Sequence, residues 1–384
     1  MIRAGTTIEV VIDRIIPGGD GLGRHEGVTV FVPMSAPGDE LVINIVESRP
    51  DYLRGDIVRI LKPGPGRVEP ACPYYGQCGG CNLMHLSYEA QLEAKLGVVR
   101  EAWRRAGGLE PCALDIEASA PFGYRNRAQF HFDSGKSVGY ARRATSRIMP
   151  IGSCPILVPA LERWLGSAGP ADAWKSLSAY MAGKDRFVAF GYGDTAHIEG
   201  RDGEVSVDVA GRVLRFNIQG FFQSNLGMVE RLLPWVCADV GGSKAADLYC
   251  GVGLFATFLK DSFARMMCVE QDQQSVAYAC SNVGKAADYA ATSIESWTRS
   301  SQAAGHFDHV VVDPPRSGLA TPVRSWIATS RPSSLGYVSC DPVSLARDAG
   351  FLVRAGYVVQ HARIFDFYPQ TSHVETYVRF QLGS

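Results

Sequence analysis

The sequence predicts an α/β protein with a doubly wound carboxyl-terminal domain, preceded by a small β barrel and a mainly β central domain. Three observations predict this. The first 61 residues form short runs of alternating polar and apolar residues between glycine, proline and aspartate turns. From about residue 224, apolar runs alternate with helical segments, and a Lys-Pro-Gly-Pro-Gly stretch at 62–66 separates the barrel from the rest. We therefore predict domains at 1–61, 62–223 and 224–384.

Composition and charge exclude several classes of protein. Hydrophobic residues make up 46% and charged residues 20% of the 384 residues, which is typical of globular proteins and not of disordered chains. No apolar run reaches the roughly 18 residues of a membrane helix, and charges interrupt the N-terminal apolar stretch, so we expect a cytoplasmic protein without a secretory signal.

The charge is balanced overall but uneven along the chain. The net charge is −1, whereas residues 121–150 carry six basic residues against Asp133 alone. The six are Arg125, Arg127, Lys136, Arg142, Arg143 and Arg147. Such an excess fits an ordinary solvated surface as well as a nucleic-acid-binding one.

The N-terminal segment has the pattern of a closed barrel of the OB type. Strands are predicted at Thr7–Ile15, Val28–Val32, 40–47 and 52–61. The glycine-rich stretch 19–23 resembles a dinucleotide-binding loop, but a strand follows it where a helix is required, so we assign it to a hairpin.

The central segment begins with clustered cysteines and continues with a predicted helix over 87–106, which we expect to pack on the carboxyl-terminal domain. Strand-like alternation resumes over 116–220. The clustered residues are Cys72, Cys78 and Cys81, and Cys154 follows later in the sequence.

These four cysteines are candidate metal ligands, because thiols that cluster in an intracellular chain more often bind metal than form disulfides. Four thiolates suit either zinc or a [4Fe–4S] cluster. The five-residue spacer after Cys72 fits neither paired zinc knuckles nor the motif of radical enzymes. Pro73 and the nearby glycines allow the chain to enclose a group larger than one ion, which favours the iron–sulfur cluster over zinc.

The carboxyl-terminal domain is predicted to contain a parallel sheet with ligands at the carboxyl ends of its strands. The predicted strands are 245–249, 265–269, 309–313 and 335–339, and the predicted helices are 254–260, 273–284 and 343–355. Strands at 357–364 and 374–382 are expected to form a closing hairpin at one edge of the sheet.

The first strand of this domain ends in a glycine turn, Asp-Leu-Tyr-Cys-Gly-Val-Gly, at 247–253. Glycines after a strand allow a ligand to approach the backbone closely. Glu270, at the end of the next strand, can accept both ribose hydroxyls of a nucleoside. The third glycine of the dinucleotide fingerprint is absent, and Leu254 and Phe255 fill the space of a pyrophosphate. This favours S-adenosyl-methionine over NAD as cofactor.

Later strands end in residues suited to chemistry on a pyrimidine. The sequence Asp-Pro-Pro-Arg at 313–316 is a rigid turn after a buried strand, and Cys340 ends the strand that follows. A thiolate that adds to C6 of uracil makes C5 nucleophilic and is later a competent leaving group. Glu375, before the last strand, is a candidate base for the C5 proton. Aromatic and amide residues at 221–225 could hold a cofactor edge or a flipped base.

Taken together, these motifs resemble the RNA 5-methyluridine (uracil-C5) methyltransferase family, whose members use S-adenosyl-methionine and carry a TRAM domain and a [4Fe–4S] cluster. The resemblance covers nearly the whole chain in the family's order. Residues 221–225, Phe-Phe-Gln-Ser-Asn, resemble the family element F-x-Q-x-N, and the four cysteines are similar to the cluster ligands.

The resemblance implies a Rossmann-like methyltransferase domain, a TRAM-type barrel and a central iron–sulfur domain that binds RNA. It implies that Cys340 is the nucleophile, that Glu375 is the base at C5, and that Phe221 lies near the target base. The residues it assigns to S-adenosyl-methionine are Gln223, Tyr249, Glu270 and Asp313. Asp341 replaces the family's usual asparagine, and we expect its carboxylate to face the loop backbone.

The expected activity is methyl transfer from S-adenosyl-methionine to C5 of a uridine in structured RNA, with 23S ribosomal RNA favoured over tRNA and the cluster in a structural role. No membrane or protein partner is implied. One alternative is the same fold acting on a cytosine carbon or an amino group. Another is an iron–sulfur redox or RNA-binding module whose methyltransferase half is inert.

Overall fold

The computed structural model describes residues 2–110, 113–133, 137–167, 169–177, 179–181 and 183–383. Lys136 of the basic stretch lies outside these residues. The chain divides into two compact units. The first contains the residues up to Val98 together with His131–Pro155 and Tyr368–His373, and the second contains Val99–Phe130, Ile156–Phe367 and the residues from Val374 onward. The three-domain division at 61 and 223 stays a prediction.

Twenty strands are found in the described residues: β1 (Thr7–Ile15), β2 (Gly21–His25), β3 (Val28–Val32), β4 (Glu40–Ser48), β5 (Tyr52–Lys62), β6 (Asp115–Glu117), β7 (Arg127–Phe132), β8 (Val138–Ala141), β9 (Ile148–Pro150), β10 (Phe187–Tyr192), β11 (Thr195–Ile198), β12 (Glu204–Val209), β13 (Arg212–Asn217), β14 (Gly242–Leu248), β15 (Phe263–Glu270), β16 (Ala287–Ala291), β17 (His309–Val312), β18 (Ser334–Ser339), β19 (Tyr357–Phe365) and β20 (Glu375–Leu382).

The α-helices of the described residues are α1 (Tyr88–Ala102), α2 (Pro159–Leu165), α3 (Gly169–Leu177), α4 (Leu226–Cys237), α5 (Leu254–Leu259), α6 (Gln273–Val283), α7 (Ile294–Trp297), α8 (Thr321–Ser330) and α9 (Pro342–Arg354). A π-helical turn, Trp103–Gly107, continues α1. None of the described helices combines the length and the apolar character needed to cross a membrane.

The first unit contains the predicted barrel, closed in the strand order β1-β2-β3-β5-β4. Alternate residues of its strands, among them Val10, Ile43 and Val30, point into one apolar core. The glycine-rich stretch that we assigned to a hairpin continues into the strand β2. A Cβ atom at Gly23 would lie 2.3 Å from the carbonyl oxygen of Val11, so glycine is needed there for β1 and β2 to pair.

The second unit is built on an eight-stranded sheet in the order β16-β15-β14-β17-β18-β20-β19-β6. The five strands from β16 to β18 are parallel, as the alternation of strands and helices predicts. The hairpin of β19 and β20 follows as expected, but it does not form the edge, because β6 pairs parallel with β19 outside it. Three residues are too few to give β6 a recognisable sequence pattern.

The central segment contains more helix than a mainly β prediction implies. Helices α2 and α3 lie between β9 and β10. In α2, the residues Ala160, Leu161, Trp164 and Leu165 are buried, which is the spacing of an amphipathic helix, and Pro159 occupies the first turn, where proline is tolerated. The predicted helix over 87–106 is confirmed as α1 and the π-helical turn that continues it, and Gly107 of this turn lies against Ala346 of α9 within the second unit.

Candidate active site

Cys340 and Glu375 are brought together by the pairing of β18 with β20. The two strands are antiparallel, and Ser339 is the register partner of Thr376. Cys340 directly follows the first residue and Glu375 directly precedes the second, so both lie at the same end of the strand pair. The Glu375 side chain is buried and that of Cys340 is half-buried. The sheet therefore presents a thiol and a carboxyl group side by side.

The surroundings keep the Cys340 thiol protonated at neutral pH. Burial, followed by the carboxyl groups of Glu375 and Asp313, raises its pKa to about 11, while Arg316 opposes them. Burial, followed by Asp313, also raises the pKa of Glu375 well above its ordinary value, and Arg316 again lowers it. Cys340, Glu375, Asp313 and Arg316 are thus one electrostatically coupled group.

Asp313 follows β17 and begins the Pro-Pro turn. Burial raises its pKa to about 7. The far end of this turn is fixed by Asp348 of α9, whose Oδ2 accepts hydrogen bonds from the Leu319 N–H at 2.7 Å and from the Tyr337 hydroxyl at 2.9 Å. Both ends of the segment that carries Arg316 are therefore held in the second unit.

Arg316 is a residue whose role the sequence reasoning missed. The sequence analysis identified Arg316 only as the last residue of the rigid Asp-Pro-Pro-Arg turn. In the structure it is the cation that lowers the pKa of both Cys340 and Glu375. The sequence did contain a signal for this role: Arg316 is a basic residue in the turn after one strand, and the candidate thiol follows the next strand.

Asp341 caps helix α9 and does not act on the thiol beside it. Its Oδ1 accepts hydrogen bonds from the backbone N–H groups of Val343, at 3.1 Å, and Ser344, at 2.7 Å. The expectation that this carboxylate faces the loop backbone is confirmed.

The glycine turn after β14 has the geometry of a nucleoside-binding site. Tyr249, Gly251 and Gly253 have positive φ angles of 65°, 52° and 83°. The Gly251 N–H donates to Oε2 of Glu270 at 3.2 Å, and Oε1 of Glu270 accepts from the Asp272 N–H at 2.9 Å. A carboxylate held at the turn in this way fits the ribose of S-adenosyl-methionine, as the sequence predicts.

Five of the predicted site residues follow the sheet in order. Four of them stand at the carboxyl ends of successive strands β15, β14, β17 and β18, and the fifth begins the neighbouring strand β20. They are Glu270, Tyr249, Asp313, Cys340 and Glu375. This edge is where an α/β sheet binds its ligands.

The 221–225 loop leads into α4, at whose N-terminus the Asn225 side chain accepts a hydrogen bond from the Met228 N–H. Gln223 is buried, whereas the Phe221 side chain is 67% exposed. Asn126, which the sequence analysis did not single out, holds this loop: its N–H donates to the Ser224 carbonyl at 2.7 Å. No local sequence signal identifies Asn126, because its partner is nearly a hundred residues away.

The four candidate cluster cysteines lie on two loops of the first unit. The loops are tied together by a 3.0 Å hydrogen bond from the Gly152 N–H to the Tyr74 hydroxyl. Burial and the neighbouring Cys72 raise the pKa of Cys78. Among the described residues, no three His, Cys, Asp or Glu side chains are arranged as ligands of a single metal ion. The four thiols have the donor chemistry of a [4Fe–4S] site, and the cluster itself stays a prediction.

The sheet order, the glycine turn with its acidic partner and the cysteine at a strand end define a Rossmann-like methyltransferase domain joined to an OB-like barrel. The fold is similar to that of the solved Pyrococcus abyssi tRNA (uracil-54, C5)-methyltransferase in complex with S-adenosyl-L-homocysteine, with a TM-score of 0.74 at 22% identity over 97% of this chain and 100% of that chain.

Sequence comparisons identify the family. The TRAM domain model matches residues 3–58, and the tRNA (uracil-5-)-methyltransferase model matches residues 200–295 and 300–381. An RNA methyltransferase of Treponema denticola is 34% identical, over 91% of this chain and 93% of the relative. The 23S rRNA (uracil(1939)-C(5))-methyltransferase RlmD of an Azoarcus species is 30% identical, over 97% and 99%. The chain belongs to the family of RNA (uracil-C5)-methyltransferases.

The coupling of Cys340 to Glu375 predicts that a Glu375→Gln variant has a more reactive thiol. Because the Glu375 carboxylate raises the pKa of Cys340, its removal increases the thiolate fraction, and iodoacetamide alkylates thiolates. We expect Cys340 to react several-fold faster in this variant at about pH 10, while wild type keeps gaining reactivity up to about pH 11. Peptide mass spectrometry measures the rate at Cys340 alone.

Asp341→Asn is the matched control, since its carboxylate is engaged with the α9 backbone. It should leave the alkylation profile of Cys340 unchanged. Slower alkylation in Glu375→Gln would contradict the coupling.

Proposed function

We propose that this enzyme transfers a methyl group from S-adenosyl-methionine to C5 of a uridine in 23S ribosomal RNA through a covalent bond between Cys340 and C6. The observation that carries this proposal is the pairing of β18 with β20, which sets Cys340 beside Glu375 at the ligand-binding edge of the sheet. A nucleophile and a base in adjacent positions are what substitution at C5 of a pyrimidine requires.

The first step is addition of the Cys340 sulfur to C6. The thiol is protonated in the ligand-free site, because its pKa is raised to about 11. It therefore gives up its proton to solvent as the S–C6 bond forms, and the Arg316 guanidinium stabilises the thiolate that develops. The electron pair of the C5–C6 double bond moves toward the uracil carbonyl and leaves C5 nucleophilic.

The step that follows methylation is removal of the proton from C5. Burial and Asp313 raise the pKa of Glu375, so that its carboxylate, once ionised, is a stronger base than an ordinary glutamate. It takes the proton from C5, the double bond re-forms, and the S–C6 bond breaks to return the Cys340 thiolate. Asp313 keeps Glu375 basic by disfavouring a second negative charge.

S-adenosyl-methionine supplies an electrophilic methyl group to C5. We assign its contacts to Gln223, Tyr249, Glu270 and Asp313. Glu270 would accept from the ribose hydroxyls, and the positive φ of Tyr249 and Gly251 opens the backbone at the turn. Phe221, with its exposed ring next to the buried Gln223, would contact the target uracil.

RNA binding also involves the first unit. Arg142, Arg143 and Arg147 are exposed on the turn between β8 and β9. Such a group of cations suits a phosphate backbone. The enzymes of Azoarcus and Vibrio parahaemolyticus that match 97% of this chain act, by name, on uracil 1939 of 23S rRNA. Their identities of 30% and 28%, against 22% for the tRNA enzyme of Pyrococcus abyssi at the same coverage, support ribosomal RNA as the substrate.

A [4Fe–4S] cluster held by Cys72, Cys78, Cys81 and Cys154 is proposed to fix this basic turn. The cysteine loop is bound directly to it, since the Arg143 N–H donates to the Gln77 carbonyl at 2.8 Å and the Gly79 N–H donates to the Ala141 carbonyl at 3.1 Å. Chemistry at C5 needs no electron transfer, so the cluster is assigned a structural role.

The covalent mechanism predicts opposite defects in two variants. Cys340→Ser should lose methyl transfer by several orders of magnitude and form no adduct. Glu375→Gln should still attach to RNA and transfer the methyl group, but it should accumulate the methylated protein–RNA complex, because the C5 proton stays. Denaturing gels with 5-fluorouridine RNA detect the first defect, and tritium release from [5-³H]uridine RNA detects both.

Cys237→Ser, a half-buried cysteine at the end of α4, is the control and should behave as wild type. Wild-type turnover by Cys340→Ser would overturn the mechanism. Adducts on cytosine-containing RNA alone would favour the cytosine alternative, and failure of the wild type to bind S-adenosyl-methionine would favour the inert module.

The structural assignment of the cluster predicts that Cys154→Ser loses iron and visible absorbance and binds RNA at least about tenfold more weakly at moderate salt, with a shallower salt dependence. Binding of S-adenosyl-methionine, measured calorimetrically, should be unchanged, since its turn belongs to the second unit. Cys280→Ser, exposed on α6, is the control. Unchanged RNA affinity in iron-free protein would contradict the structural role, and zinc in the isolated protein would support the zinc alternative.

The choice of target predicts that 23S ribosomal RNA is methylated with a kcat/KM at least about tenfold above that of tRNA transcripts. Mapping of 5-methyluridine in total RNA from cells with and without this gene identifies the position. Loss of the modification from tRNA, with ribosomal RNA unchanged, would favour the tRNA candidate instead.

A further inference from the structure

The loop that follows β6 leaves the sheet at the same edge as the catalytic cysteine. Strand β6 is parallel to β19, β19 is antiparallel to β20, and β20 is antiparallel to β18. Strand β6 therefore points in the same direction as β18. The residues after Glu117 emerge at the end of the sheet where Cys340 follows β18 and Glu375 begins β20.

This β6 loop, residues 118–126, is bound at both ends to the loop that leads into α4. We take that loop here from Gly220 to Asn225 and call it the 220–225 loop. Near its start, the Ser119 hydroxyl accepts a hydrogen bond from the Asn225 side chain at 3.0 Å. At its end, the Asn126 N–H donates to the Ser224 carbonyl at 2.7 Å. Just beyond it, Arg127 donates to the Gly220 carbonyl at 3.3 Å. The two loops are therefore held against each other near both ends of the β6 loop.

Each loop exposes one phenylalanine between these attachment points. Phe221 is 67% exposed and Phe122 is 38% exposed. Gly123 follows with φ of 64°, a conformation that suits glycine, and Tyr124 after it is buried. The chain thus turns sharply, so that the ring before the glycine stays in solvent while the ring after it enters the core. Arg125 adds positive charge to the same loop.

We propose that Phe122 stacks on a nucleobase next to the target uridine, as a second aromatic platform beside Phe221. This inference rests on the proposed function. When a uridine leaves the stack to reach an active site, its neighbours lose a stacking partner, and exposed aromatic rings beside cationic side chains are how proteins hold unstacked RNA bases. Phe122 is a positioning residue for the substrate and takes no part in bond making.

The test combines a protein variant with a modified RNA. Phe122→Ala should raise the KM for an RNA fragment that the wild type methylates by about 5- to 100-fold, the range expected for one lost base stack, with kcat and S-adenosyl-methionine affinity unchanged. Phe122→Tyr should restore the KM, because its ring also stacks. Val213→Ala, an exposed apolar residue on β13, is the control and should leave the KM unchanged.

A set of RNAs, each with one abasic nucleotide beside the target uridine, locates the contact. At one position, the abasic nucleotide should raise the KM of the wild type as much as Phe122→Ala does. The same RNA should not raise the KM of the Phe122→Ala variant any further. The stacking role is overturned if Phe122→Ala has the same KM as the wild type, or if every abasic RNA raises the KM of both proteins by the same factor. If the wild type methylates no RNA, the proposed function itself has failed.

Discussion

The antiparallel insertion of β20 between β18 and β19 is the constraint on which the active site depends. In a wholly parallel sheet, only the carboxyl ends of the strands lie at the ligand-binding edge. Because β20 runs the other way, its first residue, Glu375, stands at that edge beside Cys340, the residue that follows β18. Main-chain hydrogen bonds thus fix the proposed base against the proposed nucleophile. A slip of one residue in this register would turn Glu375 to the opposite face of the sheet.

The short separation of these acidic groups also determines their protonation state in the ligand-free site. Burial is the largest cause of the raised pKa values of Cys340 and Glu375. The negative charge of Asp313 adds to it at both residues, and that of Glu375 adds to it at Cys340. A protonated thiol is a poor nucleophile and is also resistant to oxidation and adventitious alkylation. In the proposed mechanism the thiol ionises only as it attacks the pyrimidine, with Arg316 as the nearby cation. The thiol is therefore unreactive until a substrate is bound. Acid groups with strongly shifted pKa values are common at the active sites of enzymes.

The sequence predicted those parts of the fold and site that depend on local patterns. Apolar runs located four of the five parallel strands, all but β16. The residues after them, such as Cys340, were candidates because strand ends carry ligands in this fold class. Strand β6 was missed because three residues show no period. Arg316 and Asn126 were missed for another reason: their roles arise from tertiary neighbours, Glu375 and Ser224, that lie far away in sequence. No composition or spacing rule reports such pairs.

Strand β6 shows why a short element with no sequence signal can still matter. Glu117 accepts from Arg363 of β19 at 2.8 Å and from Arg231 of α4 at 3.1 Å. The Asp366 N–H donates to the Glu117 carbonyl at 3.0 Å, and the Asn225 side chain donates to the Phe367 carbonyl at 3.2 Å. These bonds join the strand that pairs with Glu375, the helix after the 220–225 loop and the β6 loop into one assembly. A shift of the two loops that are proposed to contact RNA bases would therefore disturb the strand pairing that positions Glu375, the proposed base. The proposed substrate contacts and the proposed chemistry thus depend on the same set of hydrogen bonds.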